Sequence, residues 1–342
     1  MDFRYLSQRD VVACGGSNMS EVIDDLKTVF ALYDRKDVVL PPKTVLRWGD
    51  KESELSRGRI NAMLGYVGGS IDIAGMKWIG SAPRAMTSRY GLPRASALIV
   101  LNDPQTMLPL AVMDGTLISA MRTGAVTGLA AKYLARANST TVGIVGAGVQ
   151  SKTQLLALKT ALPQVTTVKV YSLTATRAQT FAQEMGSVLD VAIQPVASAE
   201  EAVRDAEIVV TATTAKAPVV EAEWFAEGCF YSHVGGHEAE FSVIHRADKI
   251  VVNHWEGIKK RGVQTLALMY AAGEIGDGAI DAELGDIVVD KKQGRTTARE
   301  FIYFNAVGMA MEDLAVAKRI YDHAKRKGIG TMLPLWHEPM FV

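Results

Sequence analysis

TTVGIVGAGVQS, residues 140–151, runs an apolar strand-like segment straight into a glycine-rich turn and on into a helical pattern. Gly146, Gly148 and Ser151 fill the three small positions of a G-x-G-x-x-G/A fingerprint. The first allows a tight turn, the second lets backbone approach a pyrophosphate, and the third lets the new helix pack closely while its free N–H groups face phosphate. Val142–Val145 supply the strand, and Gln154, Leu155, Leu158 and Leu162 continue the helix. Gly146, Gly148, Val149 and Gln150 are therefore candidate dinucleotide contacts. The alternative is a βα turn that the glycines merely shape.

Downstream the pattern is regular. Strands are predicted at 141–145, 168–172, 191–195, 207–212, 229–234 and 249–253, with helical patterns between most of them. That alternation predicts an α/β fold, a Rossmann-type doubly wound parallel sheet. Upstream the pattern differs. Ser20 is placed to cap a helix with Ile23, Leu26, Val29, Phe30 and Tyr33 on one face. Short β-like pieces follow at 38–48, 60–67, 75–79, 96–101 and 108–113, separated by Gly, Pro, Asn or Asp. A long helical stretch from Thr116 leads into the alternation, and another helix begins near Gly308, where the alternation stops. The predicted organisation is an α+β N-terminal domain, residues 1–118 completed by 308–342, around a dinucleotide-binding domain at 119–307.

The 342 residues allow two domains with sizeable cores. Lys+Arg and Asp+Glu number 37 each, so no net field gathers nucleic acid or an anionic membrane, and small-molecule partners are expected. The two cysteines, Cys14 and Cys229, are far apart and form no CxxC or Cys/His spacing. Neither a disulfide framework nor a metal site is predicted. The start MDFRYLSQRD has no apolar signal-peptide core, and no apolar run approaches the roughly 20 residues of a membrane span. A cytoplasmic location is expected.

The end of the second strand of the alternation bears on the cofactor. An acid about 20 residues beyond the glycines usually binds the ribose hydroxyls of NAD. Here VKVYSLTATRA offers Ser172, Thr174, Thr176 and Arg177 and no acid. Hydroxyls and a guanidinium suit a 2′-phosphate, so NADP(H) is favoured with NAD(H) still possible. Arg177 as an ordinary solvated helix residue is the alternative.

With these motifs in view, the chain resembles the ornithine cyclodeaminase and mu-crystallin family nearly end to end. The matches are PPKTVL at 41–46, MLGYVGG at 63–69, GMKWIGSAP at 75–83, Asn102-Asp103, MDG at 113–115, RTGA at 122–125, GAGVQS, VTATT at 210–214, VGG at 234–236, GR at 294–295 and FNAVGMAMED at 304–313. The segment FSVIHRADKIVVNHWEGIKKRG also looks like a bacterial branch of the family whose members carry a tyramine oxidase label. The resemblance implies an N-terminal domain that binds substrate and pairs two copies into a homodimer. It also implies Thr123, Thr213 and Val234 as cofactor contacts.

Family substrates are amino acids or imines, whose carboxylate needs cations held on rigid elements. Lys43, Lys77 and Arg122 are the candidates, with Met63 lining the pocket. Lys77 lies in the apolar GMKWIG and Arg122 interrupts the apolar AMRTGAV, so each is costly to bury unpaired. The alternatives are an edge-strand lysine and a structural ion pair between domains. Lys43 stands where the family usually has arginine, a point charge in place of a bidentate fork. His237 stands where family cyclodeaminases carry a proton-exchanging Asp, and Ala62 replaces a family acid. Histidine can shuttle a proton near neutral pH, although it can equally bond the cofactor or simply occupy a loop. Lys77 and His237 are thus the candidate catalytic residues. Losing both carboxylates disfavours a cyclodeaminase with recycled NAD. The expected function is an NAD(P)-dependent oxidoreductase acting on the C–N bond of an imine, ketimine or amino acid. The remaining alternative is a nucleotide-bound binding protein or an accessory component of another enzyme.

Overall fold

The computed structural model describes residues 1–49, 58–82, 87 and 89–341, and divides into two compact units, Met1–Arg122 with Gly308–Val342, and Thr123–Val307. Their boundary falls within one continuous helix, Thr116–Leu134.

In the first unit, β1 (Asp2–Leu6), β2 (Val38–Val39), β3 (Thr44–Arg47), β4 (Arg59–Val67), β5 (Ile73–Ser81), β6 (Ala95–Asn102) and β7 (Pro109–Asp114) form one mixed sheet with the strand Thr331–Pro334. β4, β5, β6 and β7 pair antiparallel with one another in that order, and β1 joins β7 in parallel. The expected strand at 38–48 is two short strands, because Pro41 and Pro42 give the ladder no N–H. The first long helix, Met19–Asp34, is capped by Asn18, whose side chain accepts from Glu21 N, and not by Ser20. Strand alternation gives the sheet two faces. One carries Met63, Lys77, Ile99 and Met113, all buried. On that side Leu314 of the helix Ala310–Lys327 touches the positions where Gly65 and Gly75 lack a Cβ. The other face leaves Leu64, Trp78 and Leu98 each more than 40% exposed.

The second unit is a wholly parallel eight-stranded sheet: β8 (Thr141–Val145), β9 (Thr167–Tyr171), β10 (Ala192–Pro195), β11 (Ile208–Thr211), β12 (Phe230–His233), β13 (Lys249–Val252), β14 (Ala282–Glu283) and β15 (Ile302–Asn305). Their spatial order is β10-β9-β8-β11-β12-β15-β13-β14. The central strands are almost continuously buried, as a sheet covered on both faces requires. The order reverses at β8, which lies between β9 and β11, so the crevice of a doubly wound fold opens beyond the end of β8. No described helix is long and apolar enough to cross a membrane.

Candidate active site

The glycine turn sits at that reversal. Gly146 has φ +109° and donates its N–H to Tyr171 O at 2.8 Å, and a Cβ there would lie 2.7 Å from Ala212 O. A side chain at this position is strained and has no room. Gly148 differs: it N-caps the helix Val149–Ala161 without a side-chain cap, and a Cβ built on it meets nothing within 4 Å. Its backbone therefore faces open space at the positive end of a helix. Val149 is 65% exposed beside it and Gln150 is half-buried, while Ser151, at the third small position, is fully buried. Thr123 presents its carbonyl to Gln154 Nε2 at 3.1 Å, and a Cβ on Gly124 would fall 2.3 Å from Thr153 O. RTGA thus brings its helix tightly against the helix that follows the glycines. These features fit the pyrophosphate of a dinucleotide: an open backbone, an uncapped helix start and a small residue where the helix packs.

On the β9 side of the turn, Ser172 is half-buried and Thr174 N-caps the helix Ala175–Leu189 without a side-chain cap bond. Arg177 is exposed in that helix's first turn. On the β11 and β12 side lie Thr213, Val234 and His237. Val234 N bonds Thr211 O, and Thr213 Oγ1 accepts from Ala215 N. The His237 ring is half-buried, with Nδ1 3.3 Å from Thr265 Oγ1 and its plane edge-on to Phe241. Its neighbour Glu238, to which the sequence reading gives no role, is fully buried and organises both loops. Its carboxylate accepts from Thr211 Oγ1, Thr213 N and Gly235 N.

The first unit holds a buried four-charge cluster. Lys77 Nζ lies 2.6 Å from Asp313 Oδ2 and 3.2 Å from Ser119 Oγ. Arg122 reaches Asp313 Oδ1 at 3.1 Å through Nε and Glu312 Oε2 at 2.5 Å through Nη1. Glu312 also accepts from Met309 N, tying the cluster to the start of its helix. Burial, then the charge of Arg122, pushes the Lys77 ammonium down to about 8 against the opposing pull of Asp313 and Glu312. Burial also pushes Glu312 up against the pull of Arg122. For Arg122, burial works against the charge, but Asp313 and Glu312 outweigh it and raise the guanidinium. Met63 pairs in register with Lys77 and is buried on the same face, whereas Lys43 is exposed just ahead of β3. Lys77 and Arg122 thus meet on Asp313, with Glu312 beside them, and neither carboxylate is among the residues singled out from the sequence. Arg122 does make a structural ion pair, but within one unit rather than between domains.

Three comparisons place this geometry among known proteins. The profile of the ornithine cyclodeaminase/mu-crystallin family matches residues 6–328. An N-((2S)-2-amino-2-carboxyethyl)-L-glutamate dehydrogenase of Staphylococcus aureus is 34% identical over 97% of this chain and 98% of its own length. The solved structure of Thermococcus litoralis Δ(1)-pyrroline-2-carboxylate reductase, in complex with NADH and L-proline, superposes with a TM-score of 0.88 at 35% identity, covering 96% of this chain and 99% of that one. An archaeal alanine dehydrogenase dimer with bound NAD also gives 0.88, at 32% identity over 98% of this chain and 100% of its own. The tyramine oxidase label finds no support in these relatives. The chain belongs to the ornithine cyclodeaminase/mu-crystallin family.

Proposed function

We propose that this protein is an NAD(P)-dependent oxidoreductase that interconverts an imine and an amine in a small carboxylate-bearing substrate. The relatives named above all work on a C–N bond next to a carboxylate. The observation that carries the reading for this chain is the open backbone at Gly148 on an uncapped helix start, at the reversal of strand order. The turn 146–151 holds the pyrophosphate, with Thr123, Thr213 and Val234 as further contacts. Bound there, the nicotinamide supplies or accepts hydride.

Lys77 and Arg122 bind the substrate carboxylate. Because their cluster already balances two cations with two anions, it suits a substrate with no net charge, such as an amino acid zwitterion or a protonated imine bearing a carboxylate. Lys77 holds the transferable proton at Nζ, its affinity for that proton lowered into the working range. His237 exchanges a proton from the loop after β12. Ser172, Thr174 and Arg177 form a 2′-phosphate pocket, so NADPH binds more tightly than NADH.

Two measurements test this. A screen of 2-oxo acids paired with ammonia or simple amines, run separately with NADPH and NADH, should show net loss of nicotinamide absorbance. Ammonia release without net nicotinamide change would instead mean cyclodeamination. In direct titrations NADPH should bind roughly tenfold or more tightly than NADH, the worth of one charged hydrogen bond. An Arg177→Ala protein with unchanged preference removes the phosphate pocket from the reading.

A further inference from the structure

Glu238 lies fully buried at the carboxyl end of β11 and β12, and its side-chain oxygens accept from Thr211 Oγ1, Thr213 N and Gly235 N. No Lys or Arg bonds it among the described residues. The directions of its hydrogen bonds follow from its partners. A carboxylate only accepts, so Thr211 Oγ1 donates to it at 2.9 Å and must in turn accept from Tyr231 OH, also at 2.9 Å. Gly236 O likewise only accepts, which puts the proton of His233 on Nε2, 2.6 Å away, and makes Nδ1 the acceptor for Tyr303 OH. That same Nε2 lies 3.4 Å from Glu238 Oε2. Three donors, the Thr211 hydroxyl and the Thr213 and Gly235 N–H groups, thus point their protons at the carboxylate. Gly235 makes the arrangement possible, since a Cβ there would lie 2.3 Å from the Glu238 carboxyl carbon.

In a doubly wound sheet the pyrophosphate sits at the first helix start and the adenosine ribose at the end of the second strand. The nicotinamide half then falls on the other side of β8, above the loops that Glu238 organises. On the proposed nucleotide reading, we infer that Glu238 is a positioning and charge-setting residue. Its fixed negative charge favours the oxidised, cationic nicotinamide over the reduced, neutral ring and so makes the bound reduced cofactor a stronger hydride donor. When the ring gives up a hydride, with its two electrons, to the imine carbon, it gains one positive charge, and only that charged form interacts with Glu238 by simple attraction. A site that reduces C=N bonds gains from this bias.

The test is the ratio of dissociation constants for the oxidised and reduced forms of the preferred nucleotide, measured by calorimetry with no substrate present. Glu238→Gln should raise Kd(oxidised)/Kd(reduced) about tenfold, or about 30 mV for a two-electron couple, while Glu238→Asp should stay near the wild-type ratio. Disturbed loops alone would weaken both forms equally, and an unchanged ratio in a folded Glu238→Gln protein overturns the inference. Should that variant fail to fold, the wild type decides. The oxidised nucleotide should bind several-fold more tightly than an isostere whose ring is an uncharged benzamide, and equal affinities refute the charge effect. If the wild type binds neither form of either nucleotide, the nucleotide reading falls and this inference with it. If it binds both forms with no charge preference, only this inference falls.

Discussion

Asp313 is the most revealing single residue to change, because its two oxygens hold both buried cations: Lys77 at 2.6 Å and Arg122 at 3.1 Å. Asp313→Asn keeps the shape and removes the charge, leaving two cations against Glu312 alone. At about 3 Å and an effective dielectric of about 20, each lost attraction is worth about 5 kcal/mol before desolvation. Removing one partner of a buried pair typically costs about 3–5 kcal/mol net. The protein has one escape. Lys77 is already held down to about 8, so shedding its proton at pH 7 costs only about 1.4 kcal/mol. Without Asp313 the folded-state value falls further, and the sign follows from linkage. A lysine whose folded pKa is depressed binds fewer protons folded than unfolded, so its penalty is absent above the unfolded value of 10.5, grows as pH falls towards the folded value, and is complete below it. Urea unfolding of Asp313→Asn should therefore show a loss of about 3–5 kcal/mol at pH 6, shrinking clearly by pH 9. Nucleotide affinity should stay near wild type while kcat/KM falls at least about tenfold. A loss below about 1 kcal/mol at pH 6, or the same loss at both pH values, would show that Lys77 and Asp313 are not coupled.

Gly148→Val should abolish nucleotide binding without unfolding the protein, because its side chain occupies the open space at the helix start, whereas Gly146→Ala should lower stability by about 1–3 kcal/mol from strain at φ +109°; equal effects of the two on binding and melting would contradict their separate roles. Imine reduction, which consumes a proton, should fall as pH rises through about 8 and amino-acid oxidation should rise over the same window, with kcat/KM profiles of wild type and Lys77→Met as the check; a Lys77→Met protein that keeps the wild-type profile removes Lys77 as proton carrier. Trp78 and Leu98 are register partners on the exposed face of the first sheet, so wild type should scatter light as a homodimer at micromolar concentration and Trp78→Asp should dissociate it; a monomeric wild type refutes the pairing.

The second unit was legible in the sequence because a strand buried on both faces reads as a continuous apolar run. The strand predicted at 168–172 is Thr167–Tyr171, and that at 249–253 is Lys249–Val252. What local pattern could not carry was IYFN, the strand Ile302–Asn305, which lies in space between β12 and β13 although it follows both in the chain. Its partners are set by a non-sequential pairing, not by its own periodicity. The strand Asp2–Leu6 escaped for a related reason: its partners β7 and Thr331–Pro334 are more than 100 residues away. The shift of the cap from Ser20 to Asn18 reflects two good cap residues within one turn, between which backbone geometry decides.

The site was legible in its cations and not in its anions, and the asymmetry is instructive. Lys77 and Arg122 stood out because each interrupts an apolar stretch, and a buried charge has to be balanced. AMEDLAVA carries the matching signal: Glu312 and Asp313 are two acids in an otherwise apolar first half of their helix, and they balance these cations. Glu238 gave no such signal. Its partners are two backbone N–H groups and one hydroxyl, from Thr213, Gly235 and Thr211, so no complementary charge appears in the sequence to be matched. An anion held by backbone and hydroxyl dipoles is left with an unneutralised charge that acts on whatever binds beside it. An anion held by a cation is largely spent. That difference makes Asp313 a stability and proton-transfer residue, and Glu238 one whose removal should be read in the affinities of the two forms of the nucleotide.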